Sequence, residues 1–190
     1  MSLPARVAIP IVAALVVLLA AGWWLSRPAS EAGAPEPEAA PADVSVLTHR
    51  LVVPADAGTG CPGYEARLPA APMSDPAVSG ASRSDATVVL ADGAALLIVC
   101  LADQDAAAAI VADHVAGGID GFDAVSGPAT SSTAFGEAVA WTARVGGDSL
   151  LTEWYVDRDG VVMVVGALRP SSDTTTRGLA EAVLTTWVWD

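Results

Sequence analysis

The chain contains no lysine, and all of its positive charge rests on nine arginines set against 22 acids. A net charge of −13 leaves no basic face for a phosphate backbone, which argues against nucleic-acid binding. The same imbalance opposes adhesion to anionic lipid headgroups. Histidine is nearly as scarce. His49 and His114 stand alone, and neither has ligand-like spacing to a cysteine. The two cysteines form no C-x-x-C pair, so neither a redox motif nor a zinc site is written into the chain. No serine sits in a G-x-S-x-G elbow, and no nucleophile–histidine–carboxylate set is suggested locally. The reading is of a chain without catalytic residues, without a cofactor and without a metal.

What is present begins with an unbroken apolar run from Val7 to Leu25, bracketed by Arg6 and Arg27. At a helical rise of about 1.5 Å per residue it spans about 28 Å, close to a bilayer's hydrocarbon core. A cleaved signal peptide is the alternative, since the run follows a short basic start. Three features favour a retained anchor. The stretch is longer than a signal core, Trp23–Trp24 sits at headgroup level, and the small residues Ala32-Gly33-Ala34 come late for cleavage. The arginines flanking the run are nearly balanced. The short amino tail and the cysteines break the tie in favour of a carboxyl side outside the membrane.

The organisation follows: a cytoplasmic tail over 1–6, a transmembrane helix over 7–25, a Pro/Ala/Glu linker over 26–43, and an extracytoplasmic domain over 44–190. Pro28, Pro35, Pro37 and Pro41 keep the linker extended, with a reach of at most about 56 Å. The domain is long enough for one hydrophobic core. An isolated cysteine pair in an exported domain makes a disulfide, so Cys61 and Cys100 are expected to be joined. The bridge closes a loop of about 40 residues and contributes about 4 kcal/mol in the chain-entropy model.

Strands are expected over Val44–Val53, Tyr64–Leu68, Thr87–Leu90 and Ala94–Leu101, with Asp92-Gly93 turning the last two into a hairpin. Pro69–Asp85 reads as irregular. Asp103 is an N-cap for a helix running to about Val115, with Ala107, Ile110, Val111, His114 and Val115 on its core face. Strands follow over 138–145, Leu150–Val156 and Val161–Leu168. The last is apolar on both faces, as a covered central strand would be. A helix from about Asp173 closes the chain, with Leu179, Val183 and Trp187 along one stripe.

The segment Tyr64-Glu65-Ala66-Arg67-Leu68-Pro69-Ala70-Ala71-Pro72 resembles the opening strand and Leu-Pro-x-x-Pro turn of PsbP-like domains. The hairpin Trp154-Tyr155-Val156-Asp157-Arg158-Asp159-Gly160-Val161-Val162 and the terminal helix are similar to how those domains end. The resemblance implies an α/β fold: an α/β/α sandwich with a mostly antiparallel sheet, here preceded by one transmembrane helix. It also implies an actinobacterial type of exported protein that is membrane-anchored and binds other proteins or serves as an accessory subunit. The cysteine pair is not part of that pattern.

Several features have a bland reading. His114 lies on an apolar helix face, as a satisfied core histidine would. Asp157-x-Asp159-Gly160 resembles part of a calcium loop, lacks the remaining acids, and reads as a hairpin turn. Gly117-Gly118-Ile119-Asp120-Gly121 follows a helix and does not precede one, the wrong geometry for a phosphate. Trp189 falls past the helical stripe and is the candidate partner contact. The function expected is protein binding or an accessory role beside another envelope protein. The alternative is a lipid or small-molecule binding domain, which an internal apolar cavity would mark.

Overall fold

The structure is a computed structural model that describes residues 42–73, 77–79, 82–102, 104, 106–117 and 121–190. The expected tail, transmembrane helix and all but the end of the linker lie outside the described residues, as does Asp103. Ten strands are described: β1 (His49–Val53), β2 (Tyr64–Leu68), β3 (Ala77–Ser79), β4 (Ser82–Val89), β5 (Ala95–Ala102), β6 (Phe122–Thr133), β7 (Gly136–Val145), β8 (Ser149–Arg158), β9 (Val161–Pro170) and β10 (Val188–Trp189). Two α-helices accompany them, α1 (Ala107–Val115) and α2 (Thr175–Thr185). Among the described residues no helix is long and apolar enough to cross a membrane.

Seven strands form one antiparallel sheet in the order β3-β4-β5-β9-β8-β7-β6. β9 is its middle strand, and all ten of its residues are buried, the outcome its unbroken apolar run predicts. The other three strands form a small antiparallel sheet in the order β1-β2-β10. The main core lies between the two sheets. Ile98 and Cys100 of β5, Met163 and Val165 of β9, and Trp154 of β8 meet Val53, Tyr64, Ala66 and Leu68 of the small sheet. Helix α2 seats Ala180, Val183 and Leu184 in the same core. On the opposite face of the large sheet α1 packs over β6, β7 and β8 with Ala107, Ile110, Val111 and His114 buried.

This corrects the α/β/α expectation. The second layer over the main core is largely a β-sheet, and the fold is a mostly antiparallel β-sandwich with two short helices. Sequence pattern missed strands in three places, the last being the two-residue β10 at the chain's end. β3 and the start of β4 occupy the stretch read as irregular, and β6 is an edge strand with no residue fully buried. An edge strand wet on both faces carries no period-2 signal to read. The first strand is also shorter than expected. Asp43 accepts a hydrogen bond from the Ser45 amide at 2.9 Å, which bends Val44–Val46 into a 3-10 turn before β1 starts.

Helix α1 begins at Ala107, later than the Asp103 cap implied, because its cap comes from elsewhere in the fold. The Asp157 carboxylate, on the β8–β9 hairpin, accepts a hydrogen bond from the Ala107 amide at 2.8 Å. Thr185 and Thr186 end α2 by bonding back to the carbonyls of Ala182 and Val183 at 2.7 and 2.8 Å. Trp187 therefore leaves the helical stripe and stacks on Tyr64 with ring centroids 4.2 Å apart.

Cys61 and Cys100 are joined by a disulfide, and both are buried. The bond ties the loop before β2 to β5. Reduction is expected to lower stability by about 4 kcal/mol while the strand order survives. Denaturant midpoints with and without reductant, beside a circular dichroism spectrum, check this. Free thiols in freshly isolated protein would contradict the bridge.

Candidate functional site

The small sheet places its side chains on two faces by strict alternation. Its inner face carries Val53, Tyr64, Ala66 and Leu68. Trp189 stands opposite Tyr64 in register and shares that inner face. The candidate contact residue is therefore half-buried, with its indole N–H donating to the Phe135 carbonyl at 3.1 Å. Its ring lies parallel to Phe135 at 5.8 Å and 5.4 Å from Trp187, and the Arg158 guanidinium sits 4.9 Å above it. Trp189 is a rim residue of the aromatic core and not a free-standing anchor.

The outer face of the same sheet is wet, yet carries apolar groups. Val52 and Val188 flank Glu65 in register and are 55% and 58% exposed. One row along, Arg50 and Arg67 stand directly opposite each other, an arrangement that like charges disfavour. Arg50 resolves it by turning diagonally onto Glu65 in a two-pronged pair at 2.5 Å. That pair holds the Glu65 carboxyl below its ordinary range. Arg67 makes no ion pair among the described residues. The outer face thus sets two exposed valines beside Arg67, whose charge also acts on Glu65.

Two buried polar clusters complete the inventory. In the main core, Arg83 grips Asp85 through Nε at 2.5 Å and Nη2 at 3.2 Å. The same guanidinium donates to the carbonyls of Pro54 and Pro62, while the Tyr64 hydroxyl donates to Asp85 at 2.9 Å. These bonds clamp the disulfide loop onto β4. Under α1, Trp141 Nε1 and the Tyr155 hydroxyl both donate to Glu153 Oε2, at 2.9 and 2.7 Å. His114 Nδ1 lies 3.4 Å from that hydroxyl. Burial raises the Glu153 carboxyl above its ordinary value and lowers His114 to about 4.

Sequence reasoning placed His114 correctly on the core face of its helix. His49 lies exposed on β1, outside both clusters. Reading the chain gave no sign of Glu153, Tyr155 and Trp141, since only strand pairing sets Trp141 opposite Glu153. Among the described residues no group of three or more His, Cys, Asp or Glu side chains is arranged to hold a metal.

No known protein family matches the chain. The PsbP-like pattern therefore stands as a resemblance of segments only. Nor does any curated protein match. Among solved structures, LpqN, described as involved in cell envelope biogenesis of Mycobacterium tuberculosis, is similar over 74% of this chain and 90% of that one. The identity is 10% and the TM-score 0.42, and a likeness that slight carries no argument about what this chain does.

Proposed function

We propose that residues 44–190 are a non-catalytic protein-binding or accessory module that works outside the cytoplasm. In this reading Val7–Leu25 anchors it to the membrane with the amino terminus inside. The observation that carries the reading is the Cys61–Cys100 disulfide, a bond that persists in oxidising compartments and is rare in the cytosol. The outer face of β1-β2-β10 supports the binding half of it. A partner protein would set apolar side chains on Val52 and Val188 and a carboxylate against Arg67. Trp189 lends stiffness to that sheet from behind through its bond to Phe135.

The test uses the full chain, chemically crosslinked in intact cells and then purified in mild detergent. Val52→Asp/Val188→Asp and Arg67→Glu variants are compared with the parent. A specific crosslinked protein is expected with the parent and lost with both variants, while their melting temperatures stay within a few degrees of it. The same crosslinked species at equal yield in all three would overturn the proposed face. Thiols found reduced in the cell-derived protein would overturn the placement outside the cytoplasm.

A further inference from the structure

Backbone groups alternate in direction along an antiparallel strand, and two bonds fix the phase for β2 and the residue before it. The Gly63 carbonyl accepts from the Asp190 amide at 3.1 Å, and the Arg67 amide donates to Thr186 Oγ1 at 3.0 Å. Glu65 falls in the same phase, opposite Val188. Tyr64, Ala66 and Leu68 therefore turn their backbone groups the other way, onto Val53, Leu51 and His49 of β1. That leaves the N–H and C=O of Arg50 and Val52 aimed out of the free edge of the small sheet. Among the described residues nothing bonds to them.

The other sheet edges are less open. β6 is interrupted by Pro128 and by register shifts on both sides of Ser126, devices that blunt an edge. β3 has three residues and β10 has two. β1 carries neither a proline nor a register shift over its five residues. Its outward backbone groups belong to the residues whose side chains form the exposed outer face. Two arginines, Arg50 and Arg67, against the single Glu65 leave that face net positive on a chain whose net charge is −13. Val52 and Val188 supply its apolar row. On an added strand, a residue paired with Arg50 would extend the charged row and one paired with Val52 the apolar row.

We propose that the free edge of β1 takes an extended segment of a partner protein as a fourth strand of the small sheet, with an acid against Arg50 and an aliphatic residue against Val52. The proposal rests on the reading of this face as protein-binding and adds how the partner is held. Main-chain bonds to Arg50 and Val52 attach the segment. An acid standing two positions from an aliphatic residue selects it. A second copy of this chain fits less well, since its own β1 brings another arginine and no acid.

The probe is the capped heptapeptide Ser-Thr-Glu-Thr-Val-Thr-Ser, added to the full chain in detergent micelles. Hydrogen exchange at the Arg50 and Val52 amides should slow about tenfold when the peptide fills about nine-tenths of the sites. The Leu51 amide, already bonded to β2, should change little. Val52→Pro removes an amide that the β1–β2 ladder does not use, so the variant should melt with the parent and lose the peptide. Val52→Ala keeps the amide and should bind within about fivefold of the parent. If Val52→Pro fails to fold, peptides N-methylated on alternate residues decide: one set should bind and the other should not. Unchanged exchange at Arg50 and Val52, or alternate N-methylations that bind alike, would overturn the proposal. So would slow exchange at these amides without peptide, whether in the monomer or growing with protein concentration as a second copy fills the edge. A cellular partner crosslinked at parent yield by Val52→Pro, yet lost with Arg67→Glu, would overturn the added strand and leave the protein-binding face standing.

Discussion

Val183→Asp is expected to unfold the domain at room temperature. Val183 is 1% exposed and sits in the shared core of α2 and the two sheets, packed with Ala180, Leu184 and Trp187. A carboxylate there has no cation to meet and no water to solvate it, a cost of several kcal/mol. Small domains hold only about 5–15 kcal/mol in total, so one such change removes most of it. Urea unfolding followed by circular dichroism measures the loss. Glu181→Gln on the outer side of the same helix is the control. It breaks only the Arg177–Glu181 pair at 3.1 Å, a surface i,i+4 contact worth about 0.5 kcal/mol at most. A Val183→Asp protein that melts with the parent would mean that α2 is not docked, and the core between the sheets would lose its helical side.

Asp85→Asn should cost about 3–5 kcal/mol, the usual penalty for removing one partner of a buried ion pair. Arg83 and Asp85 are 3% and 1% exposed, so the guanidinium left behind would keep its charge in a site closed to solvent. The damage should reach the loop before β2, since Arg83 also holds the Pro54 and Pro62 carbonyls. Hydrogen exchange of the Asp56 and Gly60 amides, which donate to the carbonyls of Cys61 and Asp56, should speed up in step with the fall in the urea midpoint. Tyr64→Phe keeps the stack on Trp187 and removes one bond to Asp85, so it should cost only about 1 kcal/mol. Equal losses for the two variants would show that the ring packing, and not the ion pair, holds this corner.

Much of the strand pattern was legible in the chain because burial wrote it there. Val161–Leu168 is apolar at every position and is the middle strand. Asp92-Gly93 has positive φ at both residues, the conformation a tight connection between β4 and β5 requires. The disulfide was legible for another reason: the chain has two cysteines, and they have only each other. Layer order was not legible. The terminal helix was expected to form a whole layer, yet β1, β2 and a two-residue β10 share that side of the main core with it. A strand of two residues carries no periodicity at all, and the pairing of Trp189 with Tyr64 exists only across the fold.

The same division runs through the candidate sites. By itself the sequence determined the charge balance, the disulfide, the apolar face of α1 with His114 on it, and the burial of Val183 in α2, because each depends on composition or on neighbours within a few residues. Tertiary structure alone decided that Trp189 turns inward while Val188 turns out, that Asp157 caps a helix 50 residues before it, and that Glu153 lies between Trp141 and Tyr155 under His114. Those outcomes depend on strand register, where a shift of one residue sends every side chain to the opposite face, and register is set by the packing of the whole sheet.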